Sequence, residues 1–307
     1  MIAGTFDAGL SISTDGGSSW NTTTSGQNGF PVSNNVDSVA GDSSIICAGT
    51  ATAGISVSTN AGTSWNSTLA TIHGFANSNE VLGVYCAGTK VYAAAKAGGV
   101  SLSTNSGAGW TTTIGMQNGL SGGLTGSIFA SGTSVFAGTS LGISISTNSG
   151  ANYTTTTSGQ NSFPASNNVN GVFSSGNTVY AATDAGLGIS LDGGSSWTSV
   201  TSGQNGFAAS NSVFSVYASG SSIYAATWGA GVSISHDSGA TWTTTSIGQN
   251  GLNAVSFYAI RALGPYVFAA SANGLAISNN SGETWTMVYS GNAGFAASNA
   301  VQSVFAY

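Results

Sequence analysis

The chain has 307 residues, of which only three are Lys or Arg and nine are Asp or Glu; 4% is charged, against about a quarter in an ordinary soluble domain. Aromatic residues at 10% and hydrophobic residues at 41% exclude a disordered chain, and a net charge of −6 with cations limited to Lys90, Lys96 and Arg261 excludes a basic nucleic-acid surface. No apolar run reaches the roughly 18 residues of a membrane-spanning helix, and the glycines lack collagen's every-third-residue spacing.

In chain order, Met1 runs straight into a strand-like segment, Ile2-Ala3-Gly4-Thr5-Phe6, so any export signal is expected upstream of it. A polar turn follows and closes on Trp20. Next come a threonine run (Thr22 to Thr24) and a connector, Gly26-Gln27-Asn28-Gly29-Phe30. Cys47 and Cys86 sit in later apolar strand-like runs and read as buried free thiols rather than a disulfide framework.

The aromatic at the end of the polar turn recurs as Trp65, Trp110, Tyr153, Trp197, Trp242 and Trp285, at spacings of 43 to 45 residues. Each interval holds four short runs rich in β-branched or aromatic residues and bounded by Gly, Ser and Asn. In the fifth they are Val213 to Tyr217, Ile223 to Thr227, Gly231 to Ser235 and Thr241 to Thr245. Four strands in about 44 residues is the size of one propeller blade. The chain therefore predicts one all-β, seven-bladed β-propeller over residues 1–307. The N-terminal segment matches a second strand and Val301 to Phe305 matches a first strand, so the closing blade is expected to take its first strand from the C-terminus and the rest from the N-terminus. An open solenoid would need polar end caps, and no atypical capping unit is present.

The recurrent turn reads Ser13-Thr14-Asp15-Gly16-Gly17-Ser18-Ser19-Trp20, again around Asp192 with Trp197 and around Asp237 with Trp242. It resembles the Asp-box (BNR) repeat, Ser-x-Asp-x-Gly-x-x-Trp, of sialidases, xyloglucan-degrading enzymes, sortilin-type receptors and photosystem II assembly factors. Four copies depart from it by carrying Asn60, Asn105, Asn148 and Asn280 at the Asp position. Asp or Asn there can accept hydrogen bonds from nearby backbone N–H groups, so the boxes read as structural. They are poor calcium ligands, because most offer one neutral amide. The aromatic is expected to pack between neighbouring blades.

A sialidase-like site, as the resemblance implies it, needs several arginines, and only Arg261 is present. The assembly factors imply a basic patch, which three scattered cations do not make. Xyloglucan-cleaving relatives usually pair two propellers around a cleft, and one is present here. A glycosidase needs two carboxylates. Once the boxes are set aside, with Asp42 assigned to a strand 1–2 turn, the acids left are Asp7, Asp37, Glu80 and Asp184. All four are expected on the face formed by the strand 4-to-1 and strand 2-to-3 loops, where their bland role is as solvated loop carboxylates. His73 and His236 adjoin no activated Ser or Cys, and no metal-ligand spacing or cofactor motif is present.

Positions that break the repeat point to ligand contacts. At the start of each first strand the equivalent residues are Asp37, Leu82, Gly126, Asn170, Phe214, Tyr258 and Gln302, predicted at the mouth of the central channel. The next position is always small, as expected where seven sheets converge. The strand 2–3 loops add Asp7, Lys96, Asp184 and Trp228. Trp228 is a stacking surface for a sugar or peptide, or else an inter-blade contact. The connector phenylalanines are expected to plug gaps between blades while their amides satisfy loop backbone. The reading is a non-catalytic, secreted or cell-surface module binding glycan or protein through its loop face, its oligomeric state open. The alternatives are a two-carboxylate glycoside hydrolase and a structural or scaffold repeat protein.

Overall fold

The computed structural model describes residues 1–306, which form seven four-stranded antiparallel sheets arranged as a β-propeller. We number the blades 1 to 7 by their innermost strands: Val36–Gly41, Val81–Ala87, Thr125–Ser131, Val169–Ser175, Val213–Ser219, Phe257–Leu263 and Val301–Phe305. Blade 7 closes the ring as the sequence predicts. Its inner strand from the C-terminus pairs with Ile2–Thr5, matching Val304 to Ala3 and Ser303 to Gly4.

Blade 5 shows why these residues make these strands. Its second strand, Ser222–Thr227, has neighbours on both sides, and Ile223-Tyr224-Ala225-Ala226-Thr227 is buried throughout, so it reads as a continuous apolar run. The outer strand, Thr243–Thr245, passes from exposed to buried along its length. The sequence expectation started that strand at Thr241, two residues early. The Trp242 N–H instead donates to the Asn205 carbonyl in the preceding connector (2.8 Å), which draws Trp242 out of the ladder.

The same connector-to-box bond recurs around the ring, and beside it the box aromatic packs on the connector residue. Trp20–Phe295, Trp65–Phe30, Trp110–Phe75, Trp197–Phe163 and Trp242–Phe207 meet edge to face with ring centroids 4.9 to 5.1 Å apart. Leu120 and Leu252 replace the phenylalanine opposite Tyr153 and Trp285. Each ring pair adds about 0.5–1.5 kcal/mol beyond its area burial, so the motif works as a repeated inter-blade wedge.

Connector amides are indeed occupied locally: the Gln27 side-chain oxygen accepts from Thr24 N–H (3.0 Å) and Asn34 accepts from Ser25 N–H (2.6 Å). The outer-strand hydroxyls do more than keep the rim polar. Thr22, Thr112, Thr155 and Thr244 each donate to a carbonyl of the preceding connector at 2.9 to 3.0 Å. Near the axis, a methyl at Gly83 would sit 2.9 Å from the Ser127 Cα of the next blade, so the inner strands approach too closely there for a side chain. Cys47 and Cys86 are free and buried.

Candidate functional site

The channel-mouth residues share one backbone feature. In every blade the pairing of the first and second strands slips by one residue, and the residue left unpaired is Asp37, Leu82, Gly126, Asn170, Phe214, Tyr258 or Gln302. A β-bulge frees a side chain from the ladder and re-aims it. This explains why the repeat varies there: no cross-strand partner constrains the residue. All seven border a central channel of about 140 Å³.

The candidates fall into two groups on the loop face. Around blades 5 and 6, Trp228 lies against Phe214 (centroids 5.4 Å apart, planes 26° from parallel), with Tyr258 6.0 Å from Trp228. Trp228 is 49% exposed, so its ring presents a free surface. Asp184 of blade 4 adjoins this cluster. It accepts from the Asn168 and Asn170 amides (2.8 Å each) and from the Ser212 hydroxyl (3.2 Å). Ser212 in turn accepts the Trp228 backbone N–H at its carbonyl (2.9 Å), and the Asn170 amide also donates to the Val213 carbonyl (3.0 Å). One residue thus joins the carboxylate to the aromatic platform.

The second group lies at blades 1 and 2. Lys96 pairs with Glu80 at 2.8 Å, the one ion pair among the described residues. Asp37, half-buried beside them, has its carboxyl raised to about 6, first by burial and then by the Glu80 charge, with Lys96 opposing. The Asn35 amide, turned so that its nitrogen faces acceptors, donates to Asp37 (3.1 Å) and to the Phe6 carbonyl (3.0 Å). Asp7 is exposed in the adjoining blade 7 loop, and no side chain among the described residues hydrogen-bonds to it.

The box residues lie on the opposite face, in the strand 3–4 turns. In each box the serine hydroxyl accepts a glycine N–H and donates to the Asp or Asn oxygen, as Ser235 does with Gly239 (2.8 Å) and Asp237 (2.8 Å). Asp15, Asp192 and Asp237 also accept a hydroxyl from Ser19, Ser196 and Thr241, and these bonds hold their carboxyls down to about 2. Asn60 and Asn280 reverse that last bond, donating to Ser64 (2.8 Å) and Thr284 (2.9 Å). Asn105 and Asn148 keep the bonds to the serine and to the later backbone N–H. His236 meets Ser222 at 2.9 Å, and no cluster of three or more His, Cys, Asp or Glu among the described residues is placed to hold a metal ion. A larger groove of about 750 Å³ runs along the rim between blades 7 and 1, and no titratable side chain lines it.

Sequence reasoning missed Asn168 and Ser212 as positioning groups, and it missed Arg261. Three residues beyond the bulge the inner strands carry Ala40, Tyr85, Phe129, Phe173, Tyr217, Arg261 and Phe305, a nearly complete aromatic ring. The same alignment of repeats, read three positions further, carries the signal.

No family model and no curated protein matches the chain. Solved structures do match in fold. The GH74 enzyme of Niastella koreensis is 18% identical, with a TM-score of 0.69 over 93% of this chain and 51% of its own. YCF48 bound to D1 peptide is 15% identical, with a TM-score of 0.58 over 81% and 79%. The extracellular domain of a hybrid two-component system of B. thetaiotaomicron is 15% identical, with a TM-score of 0.53 over 88% and 37%. The chain spans about half or less of the GH74 chains. An enzyme, a peptide-bound protein and the extracellular domain of a two-component system thus share a propeller scaffold with this chain, and at these identities the likeness is one of fold.

Proposed function

We propose that this propeller is a non-catalytic, secreted or cell-surface binding module that recognises a glycan on its loop face. The observation that carries the reading is the half-exposed Trp228, backed by Phe214 and Tyr258, with Asp184 joined to it through Ser212. A sugar ring offers an apolar face to stack and hydroxyls to bond. Asp184, held by three donors, is a pre-positioned hydroxyl acceptor beside a stacking plane. The low charge fits a neutral ligand. A glycan array followed by calorimetry tests this. Binding that Trp228→Ala and Asp184→Asn both weaken supports it; binding indifferent to both, or a peptide ligand competing at Trp228, sinks it.

A second reading rests on Asp37. A carboxyl raised to about 6 is suited to act as a general acid, and Asp37 has a second carboxylate, Glu80, beside it. Glu80, however, is tied to Lys96 at 2.8 Å. Hydrolysis of chromogenic glycosides that is lost in Asp37→Asn would move the assignment to a glycoside hydrolase.

A further inference from the structure

The far end of the channel carries a different site. Arg261 lies three residues, about 10 Å, along its strand from the Tyr258 bulge. Its guanidinium carbon stands 4.7 Å from the ring centre of Phe305, 5.1 Å from Tyr217 and 5.7 Å from Phe173. The rings continue from Phe173 to Phe129 and Tyr85 at 4.8 Å steps. Ala40, with only a methyl, occupies the seventh position.

Contacts over ring faces do not use the guanidinium's in-plane N–H donors, of which there are five. Among the described residues no carboxylate lies within ion-pair distance of Arg261, and no side chain or carbonyl accepts from it. Arg261 borders the channel cavity of about 140 Å³, whose wall also holds Asp37, Asn170, Gln302, Ser127 and Ser303. A single cation with no protein acceptor for its donors, at the end of a narrow channel, is an arrangement for an anion. Burial lowers its proton affinity to about 10, which leaves it charged at neutral pH.

We propose that Arg261 is a binding site for a small monocarboxylate of the size of acetate or propionate. The planar carboxylate matches the guanidinium fork with two parallel hydrogen bonds. One negative charge neutralises one positive charge, whereas a dianion such as sulfate would leave a net negative charge in a channel that already holds Asp37. A volume of about 140 Å³ admits a short acid. The site lies apart from the proposed glycan surface and does not rest on it.

Arg261 is the only arginine in the chain, so arginine labelled with carbon-13 gives a single guanidinium carbon signal. Acetate is titrated at constant ionic strength against chloride. The expected result is a saturable shift of that signal with acetate, absent with chloride, and an acetate-dependent rise in Tm that Arg261→Gln abolishes. A shift that grows linearly, or equally with both anions, overturns the proposal and leaves Arg261 as a packing element of the aromatic ring. The wild-type titration decides even if the variant fails to fold.

Discussion

Trp228 and Phe214 face each other with ring centroids 5.4 Å apart, yet they reach that contact by different routes. Phe214 is the residue its inner strand leaves unpaired, and Trp228 belongs to the loop after the second strand of the same blade. The bulge lifts one ring to meet the other at the channel mouth. Trp228→Ala removes the half-exposed member without opening the core. Glycan affinity is expected to fall about tenfold or more, the equivalent of about 1.4 kcal/mol, with Tm almost unchanged. Calorimetry and thermal unfolding on the same preparation check both halves; a large loss of Tm would make Trp228 an inter-blade contact instead.

Asp37 gives the molecule a pH signature. Its folded carboxyl titrates near 6, above the ordinary value of 3.8, so between those pH values the native state holds a proton that the unfolded state has lost. Stability from this group is complete below about 4 and falls as pH rises through 6. Asp37→Asn removes that slope. Discounted for the solvent the half-buried group retains, it should stabilise the protein by about 1 kcal/mol at neutral pH. Urea unfolding from pH 4 to pH 7 measures it, and an unchanged slope in the variant refutes the assignment.

Much of this site was legible from the repeat, for a physical reason. Where Trp20 through Trp285 recur, every copy has the same inter-blade wedge to build, so the sequence repeats. Where the bulge frees a residue from its ladder, as at Asp37 and Phe214, nothing imposes a common side chain and the copies diverge. What a linear reading does not carry is contact between copies. Asp184 looks like one more loop acid until Asn168, Asn170 and Ser212 are seen around it. Arg261 looks like one of three scattered cations, because its three aromatic partners come from three other blades.

The boxes should divide by their charge. Asp15, Asp192 and Asp237 are held at about 2 by hydroxyl and backbone donors, below the ordinary 3.8. Their contribution is present above the ordinary value and lost as pH falls from about 4 through 2. The four asparagine boxes have nothing to titrate. The triple variant Asp15→Asn, Asp192→Asn and Asp237→Asn is therefore expected to keep the fold and flatten the acid limb of Tm against pH. An acid limb as steep as that of the wild type would assign it to other carboxylates.

Ring closure depends on where the chain is cut. The first and last strands described meet inside blade 7, so backbone pairing of Val301–Phe305 with Ile2–Thr5 ties the first segment to the last. A circular permutant joined between the present ends and opened in the blade 7-to-1 connector, near Gly26, keeps all seven sheets intact. It closes the ring mainly by packing of Phe30 and Trp65 against Ile2 and Leu10 of blade 7, with the Gly9 N–H to Asn34 carbonyl bond (2.9 Å) beside them. A second permutant opened at the Gly220–Ser221 turn again splits a blade between its first and second strands. The first is expected to unfold at lower temperature and to lose amide-exchange protection in blades 7 and 1. The second should behave like the wild type, because its termini are again hydrogen-bonded within one sheet. Equal stability of the two would show that packing between blades, rather than the shared sheet, holds the ring shut.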